Sequence, residues 1–272
     1  MKKKGSDIKI IVAAHMAYRM PDDTLYLPLH VGAEGKKDLG PGYQKDNTGE
    51  HISGKNFCFC ELTGLYWAWK NLNYDYLGLV HYRRYFSVRK KGRHPFSSVL
   101  TKKEAEILLR KHSILVPKKR NYYIETLYSH YAHTHYAEHL DEMRKILCEK
   151  CPEYVKAYDR VLDQTSGYMF NMMVMRKDYI DAYCQWLFDV LFELERRIDM
   201  EYLSDFQKRF CGRVGEILFN VWLTYMQDQG KIRKGEILEI PCIHMEKIDW
   251  MKKIRAFLMA KMFHKKYESS FK

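Results

Sequence analysis

The sequence predicts one α/β unit, and three observations carry that reading. Short apolar or β-branched runs alternate with amphipathic helical runs along the chain. No internal repeat, low-complexity segment or linker-like composition shift divides it. Hydrophobic residues make up 46% and aromatic residues 14% of 272 positions, enough for a sizeable core and too many for global disorder.

The elements follow in order. Residues 8–14 (IKIIVAA) read as a buried first strand, and residues 26–31 (YLPLHV) as a second whose Pro28 favours a sheet edge. Residues 32–54 form a long loop rich in glycine and polar residues, of a length that is usually functional or disordered. In residues 60–71 the spacing of Leu62, Leu65, Tyr66 and Trp69 predicts an amphipathic helix, ended by Asn71 and Asn73. Residues 77–80 (LGLV) suit a strand covered on both faces. A basic connector, residues 87–95, leads to a helix over 101–112, where Thr101 and Glu104 make a capping box. Residues 113–117 form a short strand.

Residues 121–139 carry five tyrosines and four histidines and predict a half-buried helix. Helix continues over 140–161 with a break at Pro152. Residues 168–175 read as a buried strand interrupted by Asn171, and residues 179–198 and 212–225 as strong amphipathic helices. Residues 238–244 predict a last strand ending in His244. The tail, residues 250–272, reads as a basic amphipathic helix suited to an anionic membrane surface, beside a domain spanning residues 1–249.

The net charge of +12, from 46 Lys+Arg against 34 Asp+Glu, points to anionic partners. Seven scattered cysteines give no disulfide framework and suit a reducing, cytoplasmic setting; Cys148 and Cys151 form a lone C-x-x-C without a second pair. The N-terminus starts like a signal peptide, but Asp7 and Lys9 interrupt it, and no segment approaches the ~20 apolar residues of a membrane-spanning helix.

His81, Tyr82, Arg83 and Arg84 emerge where the 77–80 strand ends, the place where open α/β sheets bind ligands. Two adjacent arginines there suit an anion. Residues 49–55 match the first part of a P-loop, but Asn56 replaces the Mg²⁺-binding Ser or Thr and no apolar strand precedes Gly49, so that reading fails. His135 and His139 have the spacing for a shared metal on a helix, without the accompanying H-E-x-x-H carboxylate. Aromatic residues interleaved with polar ones, Tyr131 and His133 among them, more readily wall a sugar or a base. Among established chemistries, nucleotide-sugar glycosyl transfer fits these parts. Arg83 and Arg84 would meet the diphosphate charge, and Glu216, Asp163, Glu61 and His244 are candidate bases.

The segments VGAEGK (31–36), DNTGEHIS (46–53), KNFCFCELTGLYWAWKN (55–71) and YLGLVHYRRYF (76–86) resemble a bacterial glycosyltransferase family of capsule, exopolysaccharide and O-antigen gene clusters, once of unknown function and including galactofuranosyltransferases. The resemblance implies a GT-A type, Rossmann-like nucleotide-sugar domain with a mostly helical C-terminal part. It implies a UDP-sugar donor and a saccharide acceptor, lipid-linked, at the inner face of the plasma membrane. Gly32 and Asn56 would lie near the nucleotide, and the loop from Asp163 to Gly167 would face the acceptor. Glu216, near a helix start whose dipole favours a carboxylate, would be the base of an inverting transfer. His244 would lie near the diphosphate. Enzymes of this type usually hold Mn²⁺ or Mg²⁺ on an Asp-x-Asp. This sequence has none, and His81-Tyr82-Arg83 stands in its place. The expectation is therefore arginine in place of metal, with His81 and His244 as the alternative ion pocket. A basic nucleic-acid binder and an inert sugar-binding protein are the competing readings.

Overall fold

Period-two burial builds the sheet, which is covered on both faces. The computed structural model describes residues 6–89 and 94–246. In β1 (Ile8–Ala14), Ile11 and Ala13 enter one core cluster while Ile8, Ile10, Val12 and Ala14 enter the other. The chain continues through β2 (Tyr26–His30), β3 (Gln44–Lys45), α1 (Asn56–Phe59) and α2 (Leu62–Asn71) to β4 (Tyr76–His81) and β5 (Arg84–Phe86). Next come α3 (Lys102–Leu109), β6 (Ile114–Pro117), β7 (Arg120–Asn121), α4 (Leu127–Thr134), α5 (Glu138–Lys150) and α6 (Val155–Leu162). The last elements are β8 (Ser166–Gly167), β9 (Met173–Arg176), α7 (Lys177–Arg197), α8 (Phe210–Asp228), β10 (Ile237–Ile240) and β11 (Cys242–His244).

The main sheet runs β10-β6-β9-β4-β1-β2-β3, with β5 joining β4 to β11. Strands β4, β1, β2 and β3 are parallel, and β9 lies antiparallel between β4 and β6. The same alternation recurs across the centre: Leu77 and Leu79, Ile114 and Val116, and Met173 and Met175 face the first cluster, and Val80, Leu115 and Val174 the second. Helices α2, α4–α8 cover the first face, and α3 the second. From β1 the chain goes to β2 on one side and returns to β4 on the other, so the strand order reverses between β1 and β4. A crevice opens at the carboxyl ends of such strands.

Local signals worked where one residue type decided the matter. Thr101 and Glu104 close a complete capping box on α3. Pro152 ends α5 and opens a short 3-10 turn before α6. Pro28 of β2 lies beyond the reach of β3, which pairs only with Leu29 and His30.

Four expectations are corrected. The 168–175 run is strand only from Met173; Phe170 and Asn171 take left-handed backbone with φ of 76° and 51°, which no strand permits. The 238–244 run breaks at Pro241 into β10, paired with β6, and β11, paired with β5. The 121–139 segment is not one helix, because α4 ends at Thr134 with extended backbone at His135. His135 and His139 therefore share no helical face. Finally, α8 starts at Phe210, so Glu216 stands almost two turns inside it, beyond the reach of the helix N-terminus. The tail helix expected over 250–272 and most of the basic run 89–93 lie outside the described residues.

Glycine at the centre of β4 permits the close approach of β9. A Cβ on Gly78 would stand 2.8 Å from Val174 Cγ2 and 2.9 Å from the Met173 carbonyl oxygen, which cannot rotate away. Gly78→Ala should cost about 1–3 kcal/mol through overpacking. The reading is a lower urea midpoint at unchanged slope; an unchanged midpoint would show that β9 yields without strain.

Candidate active site

Two cavities meet at the carboxyl edge of the parallel strands. The larger, about 720 Å³, is lined by Ala13 and His15 at the end of β1, Val31 after β2, and His81 to Arg84 from the end of β4 to the start of β5. Asn56, Glu61, Phe170, Arg209 and Glu216 complete its floor. The smaller, about 210 Å³, lies under α4 and is lined by Tyr131, His130, His135, Arg120, Arg213 and other residues. Phe170 and Glu216 line both, so they form the partition between them.

The loop after β2 is fixed by a residue that the sequence did not single out. Asp46 is fully buried and accepts from the backbone N–H of Gly32 (2.7 Å) and Ala33 (3.0 Å), from Ser53 Oγ (2.5 Å) and from Thr63 Oγ1 (2.7 Å). One carboxylate thus ties the loop after β2, the residues before α1, and α2. Gly32 has φ of +64° and packs on Asn56; a Cβ there would lie 2.4 Å from Asn56 Cγ. Asn56 Nδ2 donates to the Cys60 carbonyl (2.7 Å), and its Oδ1 accepts from Lys36 Nζ (3.2 Å). Lys55, the lysine of the apparent P-loop, pairs instead with Glu195 at 2.7 Å.

The partition is held by the loop between β8 and β9. Asn220 of α8 accepts the Tyr168 N–H at 2.8 Å and donates to the Tyr168 carbonyl at 2.8 Å. The Asn171 amide, 1% exposed, donates to Glu61 Oε1 (2.8 Å) and to the Gly212 carbonyl (2.9 Å). The Phe170 carbonyl takes a 2.7 Å hydrogen bond from His81 Nε2. Two strained residues therefore join groups from β4, the α1–α2 junction and α8. Such strain persists only where its surroundings hold it, and it concentrates at functional sites. Glycines at 212 and 215 bring α8 close enough, since Cβ atoms there would stand 3.0 Å from Cys60 Cβ and 2.8 Å from Leu62 Cδ1.

Electrostatics separate the carboxyl groups. Burial, then the Glu61 charge, pushes the Glu216 carboxyl up to about 7; the Phe170 backbone N–H and the Arg84 and Arg120 charges draw it part of the way back. Burial lowers the His81 pKa, with Glu61 opposing, so its ring is neutral. A carbonyl only accepts, so Nε2 carries the His81 proton. That nitrogen is not a metal ligand, and the edge of the His244 ring meets Phe170 at 6.5 Å. The described residues hold no group of three or more His, Cys, Asp or Glu side chains that could bind a metal.

The two arginines of the β4–β5 turn differ. Arg83 Nε lies 3.1 Å from Glu246. Arg84 has no ion pair among the described residues; it lies over the Phe170 ring at 4.2 Å, and its Nε is buried without a hydrogen-bond partner. Lys36, Lys208 and Arg209 add charge around the same cleft.

Of the sequence candidates, Asn56, Glu61, His81, Tyr82, Arg83, Arg84 and Glu216 line the large cleft, with Gly32 packed behind Asn56. Tyr131 lines the small pocket. His133 donates its Nδ1 proton to the buried Glu125 at 2.6 Å, and Gly167 is buried in β8 against Leu127; neither lines either of these two cavities. Asp163 is exposed after α6 and lines neither. His244 lines neither cavity and meets Phe170, its ring centroid 6.5 Å away. The reading missed Arg209 and Arg213, although with Glu216 they recur at spacings of four and three on one helical face. It also missed Phe170 and Asn171, whose signal was a lone polar residue in an apolar run.

Asn171→Ala should cost about 2–4 kcal/mol, from two buried hydrogen bonds and the left-handed backbone. Asn171→Gly should recover only the backbone share. Denaturation of both variants checks this; equal stability of Asn171→Gly and wild type would show that the amide contacts contribute nothing.

The model of DUF4422, described as a domain of unknown function, matches residues 9–228. Among solved structures, the apo form of WbbM, a bifunctional glycosyltransferase, is similar at 29% sequence identity and a TM-score of 0.80. That similarity covers 89% of this chain and 46% of the other, so the chain spans less than half the length of its structural relative. No curated protein matches. The α/β fold with its helical C-terminal part is thus similar to part of a known glycosyltransferase.

Proposed function

Proceeding from a chain that belongs to the DUF4422 family, we propose that it is a glycosyltransferase with an NDP-sugar in the large cleft and an acceptor hydroxyl in the small pocket. The observation that carries this reading is Glu216, a carboxyl raised to about 7 on the wall that the two cavities share. A base must reach the acceptor oxygen on one side while the donor's anomeric carbon approaches from the other. The acceptor oxygen attacks that carbon, and the bond to the diphosphate oxygen breaks. The electron pair leaves with the nucleoside diphosphate, and the acceptor proton passes to Glu216. One displacement of this kind inverts the anomeric centre.

Charge on the leaving diphosphate needs cations that are already in place. Arg84 is the first candidate, because no carboxylate among the described residues neutralises it. Arg209 and Lys36 stand nearby on the same cleft. Phe57, half exposed on the rim, offers a face for a nucleobase. The reading needs no metal ion, because these cations serve the diphosphate. The sequence resemblance makes UDP-galactofuranose the first donor to test, and a lipid-linked polysaccharide precursor at the cytoplasmic membrane face the first acceptor. No helix among the described residues is long and apolar enough to cross a membrane.

Two outcomes follow. Arg84→Ala should weaken UDP binding in EDTA at least tenfold by calorimetry, a loss of about 1.4 kcal/mol or more; binding that appears only with Mn²⁺ would contradict the arginine assignment. Glu216→Gln should keep UDP affinity and lose turnover. In the wild type, kcat/KM should rise with pH through a midpoint near 7, because the ionised carboxylate is the base. Full activity of Glu216→Gln would overturn the assignment.

A further inference from the structure

The small pocket carries more positive charge than a neutral sugar would need. Arg120 enters from β7, where it pairs with Gly167, and Arg213 enters from α8. Neither has an ion pair among the described residues. Arg213 lies over the Phe206 ring at 4.3 Å and donates Nη2 to the Phe206 carbonyl at 2.5 Å, while its Nη1 is buried with no partner. Arg120 lies over the Tyr122 ring at 4.8 Å.

Among the described residues no carboxylate forms an ion pair with either guanidinium. Glu125 spends its two oxygens on His130 Nδ1 (2.8 Å) and His133 Nδ1 (2.6 Å). Glu216, the one carboxyl that lines the pocket, has its pKa pushed up by burial and stands against two guanidiniums. The pocket's histidines add no compensating negative charge, and burial lowers the pKa of both His130 and His135. A buried guanidinium with an unfilled donor is costly, and a carboxylate or phosphate with two acceptor oxygens is the group that fills it.

We propose that the pocket takes an acceptor bearing an anionic group, a sugar carboxylate or a sugar-linked phosphate, held by Arg120 and Arg213 beside the attacking hydroxyl. This deepens the glycosyl-transfer reading and rests on it for the word acceptor. At about 210 Å³ the pocket has room for a small sugar-sized group and not for a nucleotide. Arg120 and Arg213 then fix which acceptor sits against Glu216, and the reaction that supplies this substrate must leave a carboxylate or a phosphate on it.

The test is calorimetry with the large cleft saturated by UDP and three probes: methyl β-glucuronide, galactose 1-phosphate and neutral methyl β-galactoside. At least one anionic probe should bind tenfold or more tightly than the neutral one. Arg120→Gln should remove that preference with UDP affinity unchanged, and Arg213→Gln should do the same provided its melting temperature is retained. Preference for the glucuronide alone identifies a uronic-acid type acceptor, and preference for the phosphate alone a phosphate-linked one. Equal binding of all three probes, or an anionic preference that survives Arg120→Gln, overturns the proposal. If UDP itself does not bind, the UDP-sugar donor is ruled out, and the glucuronide series still decides the pocket: dependence on Arg120 supports the proposal, and dependence on Arg84 places the sugar in the cleft and contradicts it.

Discussion

Two consecutive residues in left-handed backbone, Phe170 and Asn171, hold this site together. The groups around them come from β4, the junction before α2, and α8. His81 at the end of β4 donates to the Phe170 carbonyl, Glu61 accepts from the Asn171 amide, and the same amide reaches the first turn of α8. From the other side Asn220 grips both backbone groups of Tyr168. The strain is tolerated because buried hydrogen bonds to His81, Glu61 and Gly212 hold both residues, although Asn171 Oδ1 itself is buried without a partner.

That loop also creates the division of labour. Phe170 separates a large cationic cleft from a small aromatic pocket, and Glu216 is exposed to both. Burial and the nearby Glu61 charge push the Glu216 carboxyl up to about 7. Arg84 stacks on the same Phe170 ring and stays free of carboxylates among the described residues. A base near neutrality and a cation without a carboxylate partner among the described residues, both lining one cleft, are what a displacement at a phosphorylated carbon asks for.

Much of the scaffold was legible in the sequence because one residue type decided each element. β1, β4 and β6 announce themselves by apolar runs, α3 by its capping box, and α7 by a long apolar stripe. The large cleft was legible too, since a polar cluster at a strand end has few other uses, and Glu61 and Glu216 were already candidates. What escaped was long-range. Nothing local says that Asn171 will turn the chain left-handed, because the bonds that hold it come from residues 61 and 212. Asp46 looked like loop composition, yet its four donors lie up to 17 positions away. The two-histidine metal reading failed for a local reason, the extended backbone at His135. Glu216 was named for a helix dipole it does not feel; its burial beside Glu61 distinguishes it instead.

The account stands or falls on the protonation of Glu216. The most direct measurement is a carbon-13 NMR titration of glutamate-labelled protein, with the Glu216 carboxyl assigned by its loss in Glu216→Gln. The account predicts a midpoint near 7. A midpoint in the ordinary glutamate range, about 4.3, would contradict it.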